Sequence, residues 1–176
     1  MRIALVTETF PPEVNGVART LRQLVRGLVA RGHAVEVVRP RHRTAPEPEG
    51  WTEFAVRGLP LPGYPGLQFG LPAPRRLRRR WRRADASSGR SPESSCRPDV
   101  VHIATEGPLG LSALWAAWRE GIPVSSTFHT NFHDYGSFYG YGPLRRVARA
   151  YLRWFHERTR ITLVPGPDVV ARRTAQ

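Results

Sequence analysis

The sequence predicts an α/β fold class: an open, mostly parallel sheet with helices on both faces. Three observations carry this. Short β-branched runs alternate with longer segments of helical periodicity along the whole chain. The first forty residues read strand, helix, strand, a unit that needs parallel strands and a right-handed crossover. The 176 residues suit one domain with a sizeable core, and they contain no internal repeat.

The elements follow in order. Ile3 to Val6 is β-branched and reads as a buried strand. From Val17 to Arg31 the apolar residues Val17, Leu21, Leu24, Val25 and Leu28 share one helical face, and Gly32 closes that helix. Ala34 to Val38 (AVEVV) is the second strand. Between Pro40 and Pro74 proline and glycine recur, and only Glu53 to Val56 reads as a strand. Arg75 to Arg83 (RRLRRRWRR) is a short basic helix. Ala84 to Pro98 is polar, Ser-rich and aperiodic, which predicts a disordered surface insertion over about 84–97. Asp99 to Ile103 (DVVHI) is a strand, Leu109 to Glu120 a helix ended by Gly121, and Pro123 to Phe128 (PVSSTF) another strand. Pro143 to Thr159 is a long amphipathic helix with proline in its first turn, and Ile161 to Val164 is the last strand.

Composition narrows the function. The 27 basic residues are all arginine and outnumber the 14 acids, for a net charge of +13. Arginine-only usage beside abundant Ala, Gly and Pro reflects base composition as much as guanidinium chemistry, so the charge alone is weak evidence for a polyanion partner. No motif of interleaved aromatic and basic residues accompanies it, and nucleic acid is not an expected partner. Cys96 is the single cysteine, which excludes an internal disulfide and predicts a cytoplasmic setting. The longest apolar stretch, near Leu109 to Trp118, is about half a membrane span.

In sheets of this class ligands bind beyond the carboxyl ends of the strands. The polar loops TETFPPEVNG, ATEG, HTNFH and PGP all follow strands and so share one edge. Asn15 is placed to cap the following helix, and Gly16 lets a ligand approach backbone N–H groups that the helix leaves unpaired, where the helix dipole suits a phosphate. The alternative is a plain Asn-Gly turn and cap, since neither G-x-G-x-x-G nor a Walker lysine is present. Glu106 and His129 are candidates for hydrogen bonding or acid–base work, against the alternative of solvated loop residues. His129 and His133 have i, i+4 spacing, but they lack the intervening glutamate of a zinc helix, and no metal is expected. His102, inside a strand, reads as a hydrogen-bonded core residue. The Arg75 to Arg83 helix is either a solvated face or a contact with an anionic membrane, with Trp81 at the interface.

MRIALVTETFPPEVNGVARTL, LPGYPGLQFGLP, PDVVHIATEGPLGLSAL, GIPVSSTFHTNFHDY and YLRWFHERT together resemble the N-terminal domain of glycosyltransferase family 4, of GT-B architecture. The likeness is strongest to its bacterial GDP-mannose-dependent α-mannosyltransferases and runs along nearly all of residues 1–176, apart from 84–97. It implies a Rossmann-like acceptor-side domain facing a second such domain across a cleft. By the resemblance, Asn15, Gly16 and Val17 approach the donor diphosphate, His129 approaches the transferred sugar and Glu106 lies on the cleft wall, His129 and Glu106 being the catalytic candidates. It further implies a hexose, usually mannose, transferred with retention from a nucleotide sugar to a lipid or glycan acceptor, without metal or other cofactor, the donor phosphate taking the acceptor proton. Such an enzyme would work in the cytoplasm, peripheral to the inner face of the plasma membrane. The E-x7-E motif of the family's nucleotide-binding C-terminal domain is not found, so the expectation is an isolated chain without transferase activity. The alternative is a lipid-headgroup or membrane-surface module without catalysis.

Overall fold

The computed structural model describes residues 1–42, 47–60, 68–82, 96–128 and 142–164, with side chains omitted for 142–145. Within these residues a six-stranded, all-parallel sheet carries the fold, in the order β3-β2-β1-β6-β7-β8. The strands are β1 (Arg2–Val6), β2 (Ala34–Pro40), β3 (Thr52–Val56), β6 (Val100–Ile103), β7 (Val124–Thr127) and β8 (Ile161–Leu163). Two three-residue strands, β4 (Gly58–Pro60) and β5 (Gln68–Gly70), form a separate antiparallel ribbon. That ribbon is not predicted from sequence, because Gly58, Pro60 and Gly70 break any alternation of apolar and polar residues.

The helices are α1 (Gly16–Ala30), α2 (Pro74–Trp81), α3 (Pro108–Arg119) and α4 (Gly142–His156). Strand residues alternate between faces, and the two faces carry separate cores. Leu5, Val35 and Val37 meet Leu21 and Val25 of α1 on one face. Ala4, Val6, Val38, Val101, Ile103 and Val124 meet α2, α3 and Phe155 of α4 on the other. Right-handed crossovers account for this division: the chain moves one way across the sheet through α1 and the other way through α2, α3 and α4. Helix ends follow local chemistry. Arg31 is the C-cap of α1, and Gly32 follows it at φ +78° as Gly32 N–H bonds Val29 O and His33 N–H bonds Leu28 O. Gly121 does the same after α3 at φ +63°, with bonds to Trp118 O and from Ile122 N–H to Ala117 O.

The basic helix departs from its expected role. Leu77 and Trp81 are fully buried, Trp81 at 0% exposure, so Trp81 belongs to the core and does not reach an interface. Arg76 and Arg80 cover the Phe54 ring at 5.3 and 4.5 Å, and Arg80 also bonds Glu36 of β2. Period 3.6 explains both facts: residues 77 and 81 point at the sheet, while Arg75, Arg78, Arg79 and Arg82 stay exposed. Most of the expected 84–97 insertion lies outside the described residues.

Trp81→Ala should cost about 3–5 kcal/mol in urea denaturation, whereas Arg75→Gln should change stability by less than about 0.5 kcal/mol. Equal costs for the two would remove Trp81 from the core.

Candidate functional site

The strand order reverses direction at β1, which pairs with β2 on one side and β6 on the other. A crevice at such a switch point is where doubly wound sheets bind ligands. The loops after β1 and β6 meet there and are tied together. Glu8 N–H donates to Thr105 Oγ1 at 2.9 Å, and Glu8 Oε1 accepts from Leu109 N–H, in the first turn of α3, at 3.0 Å. Gly107 makes this approach possible, because a Cβ there would stand 2.2 Å from Glu8 Oε2. Burial pushes the Glu8 carboxyl up to about 7; the Leu109 N–H opposes the shift, and Glu106 and Glu13 add to it.

The loop TETFPPEVNG is internally braced. Thr7 N–H bonds Val38 O, Thr9 Oγ1 donates to Glu13 Oε2 at 2.5 Å, and Glu13 Oε1 lies 2.9 Å from His42 Nε2. Asn15 caps α1: its Oδ1 accepts from Ala18 N–H at 2.8 Å, and its Nδ2 donates to Thr9 at 2.7 Å. Both polar ends of the Asn15 side chain are thus engaged, at Thr9 in the loop and at Ala18 in α1. Gly16 is exposed, and nothing lies within 4 Å of where its Cβ would stand. Val17 packs partly against the α1 core. At Gly16 the opening turn of α1 therefore presents bare backbone.

Glu106 belongs to a chain of polar groups that starts in the crevice and ends in the core. Its Oε1 is 3.0 Å from His156 Nε2, whose Nδ1 is 2.9 Å from Ser126 Oγ on β7. Ser126 Oγ in turn lies within 3.1 Å of the hydroxyls of Thr159 and Thr162. Tyr151 donates to the Glu106 carbonyl at 2.5 Å, and burial followed by the Glu106 and Glu8 charges pushes its phenol up to about 12. His156, buried at the end of α4, thus orients the Glu106 carboxyl, and the Phe128 ring lies edge-on to it at 5.5 Å. His102 sits as expected, hydrogen-bonded to Ser125 and Thr127. His129 lies outside the described residues, as does His133. Among the described residues no group of three His, Cys, Asp or Glu side chains stands close enough to hold a metal.

Sequence reasoning finds Asn15, Gly16, Val17 and Glu106 but passes over Glu8 and His156. Glu8 carries a readable signal, an acid two residues beyond the first strand. His156 carries none, since only the packing of α4 brings it to Glu106.

Fold and local geometry together define a Rossmann-like domain whose loops after β1 and β6 meet at the switch point, where Glu8 and Glu106 stand by the N-terminus of α3. The chain belongs to glycosyltransferase family 4, whose family model matches residues 14–172. It is 30% identical to a GDP-mannose-dependent alpha-mannosyltransferase of Mycolicibacterium smegmatis, over 97% of this chain and 43% of that protein. It is also 30% identical to an alpha-monoglucosyldiacylglycerol synthase of Streptococcus pneumoniae, over 83% of this chain and 30% of that protein. The fold matches a crystal structure of Arabidopsis thaliana UGT89C1 complexed with UDP, with TM-score 0.53 and 14% identity, over 94% of this chain and 42% of that one. The GT-B expectation therefore holds for the architecture. The chain spans less than half the length of these relatives.

Two outcomes check the geometry. The Glu8 pKa is raised on folding, so its protonated form favours the native state; that contribution is complete below about 4.5 and is lost as pH rises to about 7. Thermal stability of the native chain relative to Glu8→Gln should fall across that window and level off above it; a flat difference would contradict the burial. In a double-mutant cycle, Gly107→Ala should be more damaging with Glu8 present than in Glu8→Ala, with a coupling of about 1–3 kcal/mol; additivity would separate the two residues.

Proposed function

We propose that this chain is the acceptor-side domain of a retaining glycosyltransferase that moves a hexose, mannose from GDP-mannose, to a lipid or glycan acceptor. The observation that carries the reading is the bare backbone of Gly16 where α1 opens, at the end of the loop that carries Glu8, in a chain whose family is shared with sugar transferases. Gly16 and Val17 offer N–H groups and the positive end of the helix dipole to the donor diphosphate. Gly16 suits this role because a side chain there would occupy the space the phosphate enters. A diphosphate leaving group gains negative charge as the sugar departs, and fixed N–H dipoles stabilise that charge without reorganising.

Glu106, held by His156, is the group on the crevice wall available to accept a hydrogen bond from a sugar hydroxyl. His129 is proposed to approach the transferred hexose, and the donor phosphate to take the acceptor proton, without a metal. The names of the relatives support the donor and acceptor classes: one uses GDP-mannose, and another makes a glucosyl diacylglycerol. The proposed setting is the cytoplasm, at the inner face of the plasma membrane. Donor contacts beyond the α1 turn are assigned to a second domain, and the 176-residue chain alone is proposed not to transfer sugar.

Amide NMR of the chain titrated with GDP-mannose should show the largest shifts at Gly16 and Val17, and Gly16→Val should suppress them. Shifts centred elsewhere, or none at millimolar donor, would overturn the diphosphate assignment. Mannose transfer by the chain alone would overturn the division of labour between domains.

A further inference from the structure

A buried carboxylate sits in the loop ahead of α1, and the proposed reaction does not use it. Glu13 has 3% of its side chain exposed, and three segments of the fold meet on it. Its Oε1 faces His42 Nε2, just beyond β2, at 2.9 Å and accepts from the Gln68 N–H of β5 at 3.4 Å. Its Oε2 accepts from the Thr9 hydroxyl at 2.5 Å. Burying a carboxylate is costly unless donors surround it. Here each neighbour supplies one, so His42 carries a proton on Nε2.

The Thr9 hydroxyl carries this arrangement to α1. Its one proton goes to Glu13, so toward Asn15 it can only accept, and it takes Asn15 Nδ2–H at 2.7 Å. The Asn15 amide is thereby oriented: with Nδ2 on Thr9, Oδ1 faces Ala18 N–H at 2.8 Å and caps the helix. The reverse orientation would set Nδ2 against Ala18 N–H, donor against donor. No acidic residue stands in the first turn of α1 to assist, as one does in a capping box.

We propose that Glu13 is a positioning residue for the opening turn of α1. As an acceptor it draws the hydrogen bonds one way, from Asn15 through Thr9 to itself, and so fixes the Asn15 oxygen on the helix. His42 and Gln68, 29 and 55 positions from Glu13, hold the carboxylate in place, so β2 and the β4–β5 ribbon both bear on this turn. The turn is the one assigned above to the donor diphosphate. That last link rests on the transferase reading; the direction of the bonds does not. A cap acting alone behaves differently, because aspartate caps helices about as well as asparagine. Aspartate at position 15 would leave Thr9 between two acceptors with one proton. Glutamine at position 13 would then supply the missing donor and run the bonds in reverse.

Urea denaturation of the 176-residue chain tests that direction. Asn15→Asp should lower the folding constant roughly fivefold, the scale of a lost helix cap, but should cost nothing when Glu13→Gln is also present. Thr9→Val removes the hydroxyl and should abolish this dependence of one site on the other, while Thr9→Ser should keep it. Amide NMR reads the turn itself: the Ala18 N–H signal should move upfield in Thr9→Val and stay in place in Thr9→Ser. Titrated with GDP-mannose and read at Gly16, Thr9→Val should bind severalfold more weakly than the native chain. The proposal is overturned if Asn15→Asp has the same effect with and without Glu13→Gln. It is equally overturned if the dependence survives Thr9→Val, which would make it plain charge repulsion, or if Thr9→Val binds GDP-mannose as tightly as the native chain. Failure of the native chain to bind GDP-mannose overturns the diphosphate reading instead, and the denaturation result then decides the direction of the bonds.

Discussion

The parallel pairing of β1 with β6 is the constraint on which the rest depends. These strands are distant in sequence and adjacent in space, with Ile3 opposite Val100 and Val6 opposite Ile103. Because the chain winds away from β1 in both directions, β1 and β6 flank the topological switch point of the sheet, and the loops that follow them meet at its edge. Glu8, Gly16 and Glu106 all hang from these loops or from the helix N-termini they feed. Thr105 and Leu109 hold Glu8, and Glu8 holds the two loops in one register.

Electrostatics in the crevice follow from that joint. Two glutamates approach each other near a helix N-terminus, in partly desolvated surroundings, and each takes a different partner. Glu8 is balanced by one backbone N–H and stays easy to protonate. Glu106 is balanced by a buried histidine that reaches back to β7 through Ser126. One proton-retaining carboxyl and one oriented carboxyl thus place a hydrogen-bond donor and an acceptor side by side. The helix dipole of α1 adds a site for negative charge a short distance along the same edge.

The basic helix shows how a correct composition reading can name the wrong side chain. RRLRRRWRR invites pairing its tryptophan with its arginines at an interface. Trp81 and Leu77 instead fill the space between α2 and the sheet, and the exposed tryptophans are Trp118 of α3, a segment whose sequence reads as core nearly throughout, and Trp154 of α4. Periodicity states which residues of a helix share a face, but it does not say which face meets the sheet when both are apolar. In α3 nearly every position is apolar, so the outward stripe was visible only after packing.

The sequence by itself determined the parallel α/β class, the positions of the main strands and helices, the Asn15 cap and the glycines beyond α1 and α3. These are legible because they depend on local stereochemistry and on apolar spacing within a dozen residues. It also placed Gly16 and Glu106 at one edge of the sheet, since both follow strands of this class at their carboxyl ends. The pairing of Glu106 with His156, the seat of Glu8 against Gly107 and the burial of Trp81 were decided by tertiary structure alone. Each joins residues far apart in the chain, 50 positions for Glu106 and His156, and no local pattern encodes which of many polar side chains a distant helix will present.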